Sequence, residues 1–365
     1  MKIGIEARFI LKERSGIGVY ASKLIQYLKK IDSGNEYVIF NDPQPSIFSL
    51  EKIRPRSFRK LVYLFWLNSA FQYTCNQYQL DILHLPNYIA PLVKSRKYII
   101  TIHDLTYLKF PESMIKRYRL YMGFLVPLSA KLADYIVTDS QSSKKDIIDY
   151  LNVPEEKIEV VYPGVEQEDY TYNYDPGTRK QEPLISSNYL LFVSTIEPRK
   201  NLERLIKAFD ELKREKACDL DLVIVGKRGW LDETIKKAWH NSPYQKDIKF
   251  LGYVDQKTLN MIYRKAFCLV FPSIYEGFGF PILEAMANYC PVLASNTSSI
   301  PEIVADAALL FDPFSVEAIA RAIKHLIDNK NLREELILKG RKRVKNFSWE
   351  KTAREMVRVY KKVIH

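Results

Sequence analysis

The chain has 365 residues, 47% of them hydrophobic and 27% charged, with 13 Gly and 18 Pro. This is the make-up of an ordinary globular protein, and it excludes collagen-like, low-complexity and disordered readings. The length predicts about two domains, each large enough to bury a core without disulfides. Lys plus Arg exceed Asp plus Glu by 55 to 43, a formal net charge of +12, so the surface attracts nucleotides, polyanions or anionic lipid.

The first run, MKIGIEARFI, alternates like an opening strand, and Glu6 and Arg8 interrupt the apolar stretch an export signal needs. After it comes SGIGVYA, read as a short loop before a helix that starts near Ser22. Gly16, Gly18 and Ala21 satisfy G-x-G-x-x-G/A, and Asp42 follows the strand-like EYVIF where a dinucleotide fold binds ribose, so an NAD-dependent oxidoreductase is one reading and a plain tight turn is another. In RPRSFRKLVYLFWL, Arg54, Arg56, Arg59 and Lys60 precede an aromatic run that could lie as an amphipathic helix on an anionic membrane, each cation contributing about 1 kcal/mol. The alternative is a core helix with a solvated basic flank. The cluster matches no nucleic-acid reader motif. The densest apolar stretches, 61–71 and 120–130, fall far short of the roughly 20 residues a membrane-spanning helix requires.

DILHLP, KYIITIHD and ADYIVTDS continue the alternation of strand-like and helix-like runs, which predicts parallel sheets with ligand sites at the carboxyl ends of the strands. His103, followed by Asp104, stands at such an end; a lone His there is as often structural as functional. Periodicity fails between Tyr162 and Ser187, which reads as a linker, and restarts at NYLLFVSTIEP. Next, Arg199 and Lys200 stand between that strand and the helix of NLERLIKAFDELK, with Asn201 placed to cap it. Two cations at a strand end could neutralise a diphosphate leaving group without a metal. Asp219 and Asp221 read as strand entry rather than as a metal-binding pair.

The most specific segment is FPSIYEGFGFPILEAMAN, in which a buried strand ends, a glycine-containing loop follows and Pro281 opens a helix. Gly277 and Gly279 allow close backbone approach, so N–H groups near Phe280 can meet a phosphate, with Glu276 before the loop and Glu284 one turn into the helix. A carboxylate at each end suits a nucleotide sugar, with sugar hydroxyls at Glu276 and ribose hydroxyls at Glu284. A structural acidic first turn would explain Glu284 but not the paired glycines beside Glu276. The four cysteines, Cys75, Cys218, Cys268 and Cys290, lie far apart with no C-x-x-C pair, which points to reduced thiols in a cytoplasmic protein and to no structural zinc. The chain ends in FSWEKTAREMVRVYKKVIH, one amphipathic helix.

Together GIGVY, IHD, STIEPRKNLERLIKAF, FLGYV, SIYEGFGFPILEAMA, SSIPEIVADAALLFDP and FSWEKTA resemble the family 4 retaining glycosyltransferases, over nearly the whole chain. The resemblance implies an α/β GT-B fold: two Rossmann-like parallel-sheet domains facing a cleft, 1–170 on the acceptor side and 171–347 on the nucleotide-sugar side, with the helix at 348–365 returning to the first. It implies that Arg199 and Lys200 hold the donor diphosphate, Glu276 contacts the transferred sugar with Gly277, Phe278, Gly279 and Phe280 along it, and Glu284 binds ribose. His103 would lie beside the reacting carbon, and Gly16 near the diphosphate.

The wording is most similar to mannosyl- and rhamnosyltransferases of polysaccharide and lipopolysaccharide assembly. The resemblance thus implies GDP-mannose as donor, with UDP- or dTDP-sugars as alternatives, a glycan or lipid-linked glycan acceptor, no metal or other cofactor, and a cytoplasmic enzyme that can sit peripherally on the inner membrane face. The chain departs from the family pattern in two places: Val19 replaces a common Arg, and Asn288, Tyr289 and Cys290 replace a glycine-containing turn.

Overall fold

The computed structural model describes residues 1–10, 16–41, 63–166, 188–230 and 232–364. They form two compact units: Met1–Leu108, Arg117–Gly164 and Trp349–His365 in the first, Lys109–Lys116 and Val165–Ser348 in the second. The excursion at Lys109–Lys116 had no counterpart in the domain limits read from sequence. Its short turn at Pro111–Ser113 carries no periodic apolar pattern, and it is tied by Trp230 Nε1 donating to Ser113 O at 2.6 Å and by Phe110 against Tyr275.

Six parallel strands make the first sheet: β1 (Lys2–Glu6), β2 (Glu36–Phe40), β3 (Ile82–Leu85), β4 (Lys97–Thr101), β5 (Tyr135–Thr138) and β6 (Ile158–Val160), in the order β2-β1-β3-β4-β5-β6. The central strands are near-continuous apolar runs because both faces are covered by helices. Helix α1 (Gly16–Ile31) packs along the C-terminal helix, Trp349–Ile364, and buries Tyr20, Ala21, Leu24, Ile25 and Leu28 at helical spacing. It begins at Gly16, not near Ser22. Gly16 and Gly18 therefore belong to its first turns and neither has a positive φ, so the loop expected of a dinucleotide fingerprint is not formed by these glycines. The apolar stripe simply extends back to Gly18.

The second sheet contains β7 (Tyr189–Val193), β8 (Asp221–Val225), β9 (Ile248–Gly252), β10 (Cys268–Phe271), β11 (Val292–Ser295) and β12 (Leu309–Phe311), all parallel, in the order β12-β11-β10-β7-β8-β9. Its core gathers Leu190, Phe192, Leu222, Ile224 and Val270 from the strands with Leu205, Ile206 and Phe209. The last three lie on one face of an amphipathic helix over Leu202–Arg214. In each unit the strand order reverses once, between β1 and β3 in the first and between β7 and β10 in the second. Loops leaving the carboxyl ends at a reversal diverge and leave a crevice.

Helices α3 (Leu202–Arg214) and α4 (Phe280–Ala287) start at such strand ends, α2 (Gln141–Leu151) follows β5, and α5 (Trp349–Ile364) closes the chain within the first unit. Helix α5 turns Trp349, Ala353, Met356 and Tyr360 inward, and Thr352 Oγ1 donates to Tyr162 O at 2.8 Å. All four cysteines are buried and free.

Where β8 ends, Gly226 has φ +147°, and a Cβ there would fall 1.8 Å from Ser194 O. Gly226→Ala is expected to destabilise the second unit by about 2 kcal/mol or more, lowering Tm by at least about 4 °C in a thermal melt. An unchanged Tm would mean that the β7 and β8 loops are not in this register.

Candidate active site

At the reversal in the second sheet, β7 ends at Val193 and its loop carries Glu197 and a single 3-10 turn, Pro198–Lys200. Asn201 follows in the left-handed region, φ 61°, and does not cap α3 as the sequence suggested. Its amide instead donates to Pro272 O at 3.0 Å and Pro313 O at 2.7 Å, bracing this loop against those after β10 and β12. A left-handed Asn is inexpensive, and its side chain reaches further as a brace than as a cap.

The loop after β10 runs from Pro272 to Gly279 and is held by hydroxyls at the end of β11 and just beyond it. Ser295 Oγ donates to Ser273 O at 2.5 Å, Thr297 Oγ1 to Ile274 O at 2.8 Å, and Ser299 Oγ to Glu276 O and Phe278 O at 2.9 and 3.1 Å. Glu276 N donates to Ser298 Oγ at 2.9 Å. Gly279, φ +106°, turns the chain into α4, with Pro281 in its first turn. The Phe278 side chain packs on Phe280 and Phe347.

These loops bring Arg199, Lys200 and Glu276 together. Lys200 Nζ lies 2.5 Å from Glu276 Oε1, and Arg199 Nη1 3.0 Å from Glu276 Oε2, while Arg199 Nη2 donates to Glu197 Oε1 at 2.8 Å. Arg199 also donates to Tyr275 O. Burial pushes the Glu276 carboxyl up, but Lys200 and Arg199 outweigh it and hold the group at about 2. Burial and the adjacent Arg199 lower the Lys200 ammonium. Two cations and two carboxylates thus share one sheltered crevice, where each charge-assisted bond is stronger than in water. On α4, Glu284 is half-buried and accepts from Tyr263 OH at 2.9 Å; burial raises its carboxyl above the ordinary value.

His103 and Gly16 belong to the first unit. His103 lies just beyond β4, buried, with Nδ1 2.6 Å from Asp139 Oδ2. Gly16 opens α1, and a Cβ there would meet nothing within 4 Å. Sequence reasoning missed a buried charged cluster in the same unit. At the reversal between β1 and β3, Glu6 Oε1 accepts from Arg8 Nε at 2.6 Å and Glu6 Oε2 from Asn87 Nδ2 at 3.0 Å, and the Arg8 guanidinium lies 3.9 Å from the Trp66 ring centroid. The available signal was two opposite charges, two residues apart, inside an apolar strand run.

Asp42, Arg54, Arg56, Arg59 and Lys60 lie outside the described residues. From the same basic aromatic segment, Trp66 and Leu67 are buried and Phe65 is exposed.

A folded carboxyl held below its ordinary 4.5 contributes stability that is complete above about pH 4.5 and lost as the pH falls toward about 2. Glu276→Gln is therefore expected to cost about 3 kcal/mol at neutral pH in urea denaturation, because it leaves two buried cations short of a counter-charge. The gap to the parent protein should close on acidification through that window; a gap independent of pH would show that the carboxylate charge is not what stabilises the loop pair.

Comparison with known proteins agrees with this architecture. Residues 14–169 match the glycosyltransferase family 4 model and residues 178–343 the glycosyl transferases group 1 model. The O-antigen chain mannosyltransferase B of Escherichia coli is 34% identical over 284 residues, 77% of this chain and 74% of that one. Among solved structures, a sucrose-phosphate synthase from Thermosynechococcus elongatus superposes with a TM-score of 0.80 at 19% identity, over 100% of this chain and 99% of that one. Anabaena HepE in complex with UDP-glucose superposes with a TM-score of 0.70 at 17% identity, covering 99% of this chain and 100% of that one. At those identities the structures establish the fold, and the sequence matches establish the family. The chain belongs to glycosyltransferase family 4 and is a glycosyltransferase of the GT-B fold.

Proposed function

We propose that the enzyme transfers mannose from GDP-mannose to a hydroxyl of a glycan or lipid-linked glycan in cell-surface polysaccharide assembly, with retention of anomeric configuration and without a metal. The observation that carries the reading is the pairing of Arg199 and Lys200 with Glu276 beside the N-terminus of α4. The donor choice rests on the mannosyltransferase named above, and the nucleotide-sugar class is supported by the UDP-glucose complex of the structural neighbour.

In the reaction the bond from the anomeric carbon to phosphate breaks, the acceptor oxygen bonds to that carbon on the same face, and the acceptor proton passes to the departing phosphate. Negative charge grows on the diphosphate as it leaves. Arg199, Lys200 and the N–H groups near Phe280, beyond Gly277, Phe278 and Gly279, stabilise that charge; the loop backbone is already pinned, so only the cationic side chains need to move. The two cations turn from Glu276 toward phosphate oxygens, which releases the carboxylate to accept from sugar hydroxyls. Glu284 takes the ribose hydroxyls, and for Gly16 and His103, which belong to the first unit, the family resemblance is what assigns roles toward the diphosphate and the transferred sugar. UDP- and dTDP-sugars are the alternative donors.

Among the described residues no helix is long and apolar enough to cross a membrane. Recruitment to an anionic inner membrane face is assigned to Arg54, Arg56, Arg59 and Lys60, as a cytoplasmic peripheral enzyme. Replacing all four with Ala is expected to abolish sedimentation with vesicles of phosphatidylglycerol; undiminished binding would defeat the anchor.

Thermal shift against GDP-, UDP-, dTDP- and ADP-sugars and NAD, with EDTA present, tests the donor. GDP-mannose at about 100 times its Kd should add about 2.7 kcal/mol, lost in Glu284→Ala. Stabilisation by another sugar nucleotide would replace the donor, and loss of it in EDTA would overturn the metal-free site. Product NMR settles stereochemistry: an inverted anomeric centre would refute retention.

A further inference from the structure

His103 is held by a partner that the sequence did not signal. Asp139 lies just past the end of β5, the strand beside β4, and its Oδ2 is 2.6 Å from His103 Nδ1 with both side chains buried. The other ring nitrogen, Nε2, is 3.4 Å from Pro86 O. A carboxylate and a carbonyl can only accept, so a neutral ring with hydrogen on Nδ1 would set the Nε2 lone pair against a carbonyl oxygen. The imidazolium form satisfies both contacts. Asp139 has a further reason to demand a cation: its Oδ1 is buried with no partner among the described residues, so the desolvated carboxylate has little else to offset its charge.

The ring is fixed on its remaining sides. Tyr20 and Tyr88 meet it edge-on, with centroids 5.0 and 5.8 Å away, and Ser143 Oγ on α2 donates to His103 O at 3.0 Å. We propose that Asp139 is a positioning residue for the transfer reaction: through Nδ1 it fixes the orientation of His103 and keeps the ring cationic, leaving Nε2–H, with its one long backbone contact, as the donor offered to the transferred sugar. The inference rests on the proposed role of His103 in transfer and adds the group that makes that role possible.

The titratable groups facing the pair among the described residues are Tyr20 on α1, His84 on β3, Tyr88 after β3, and Asp104 beside His103 itself. Burial lowers His103, but Asp139 first and Asp104 second more than reverse this and raise it above 6.5, while burial also raises the Asp139 carboxyl above its ordinary value against the opposing pull of His103. His84 is pushed by burial, and then by His103, down to about 3 and stays neutral. Tyr20 is raised by burial and by Asp139 and keeps its proton.

The test is Asp139→Asn, which keeps the shape and removes the charge, read in two ways. The chain has only five His, so long-range proton–nitrogen NMR resolves His103, assigned by its loss in His103→Gln. The parent ring should carry hydrogen on both nitrogens at neutral pH and titrate above 6.5, and the variant should titrate at lower pH. With GDP-mannose as donor and octyl α-mannoside as acceptor, GDP release should fall in kcat about tenfold or more, with donor KM little changed, and the alkaline limb of the pH profile should move to lower pH. Should the Asn variant not fold, Asp139→Ser takes its place.

An unshifted His103 titration overturns the proposal, and so does a shifted titration with an unmoved pH profile. A parent enzyme that turns over no sugar nucleotide would instead refute the proposed reaction, while the NMR titration would still decide whether Asp139 governs His103.

Discussion

The pairing of two cations with one carboxylate, Arg199 and Lys200 on Glu276, is the interaction on which the second unit's site depends. It joins residues about 76 positions apart in sequence, and it exists because β7 and β10 are neighbours at the one place where the strand order reverses. Desolvating these groups is costly, so the arrangement persists only with further partners. Glu197 and Tyr275 O supply them for Arg199, and Ser298 Oγ fixes the Glu276 backbone. The serines and threonine at and beyond the end of β11 then clamp the whole loop, which sets the direction of α4 and the place of Glu284.

The first unit applies the same topological rule with different chemistry. Its reversal holds Arg8, gripped by Glu6 and packed on Trp66. The ends of the neighbouring strands hold two histidines with opposite behaviour. His84 lies between Tyr360 OH and Thr101 Oγ1, groups that serve a neutral ring, whereas His103 lies between a carboxylate and a carbonyl, which serve a cation. Burial acts alike on both, and the hydrogen-bond partners decide the charge. Helix α5 takes part in this selection, since Tyr360 comes from the far end of the chain.

How much could be read beforehand differed from residue to residue. The buried strands announced themselves as apolar runs, and α5 by its 3.6-residue stripe. Glu276, Gly279 and Pro281 could be placed because a strand end, a positive-φ glycine and a first-turn proline are local events. The start of α1 was misjudged because two glycines resemble a loop, although a helix tolerates them when its apolar face continues beneath. Asn201 was misread because its partners, Pro272 and Pro313, are distant in sequence. Tyr289 occupies the left-handed region, φ 59°, under the Arg341 guanidinium, a tolerance that no spacing rule reveals.

By itself the sequence determined the α/β alternation, the two sets of strands and the chemical type of each loop, since these follow from periodicity and from the conformational limits of Gly, Pro and β-branched residues. Tertiary structure alone decided that Glu276 neutralises Arg199 and Lys200, that Asp139 governs His103 and that Glu6 grips Arg8. The reason is physical: the charge a side chain carries depends on what surrounds it in space, and in a parallel sheet those surroundings are set by strand order rather than by distance along the chain.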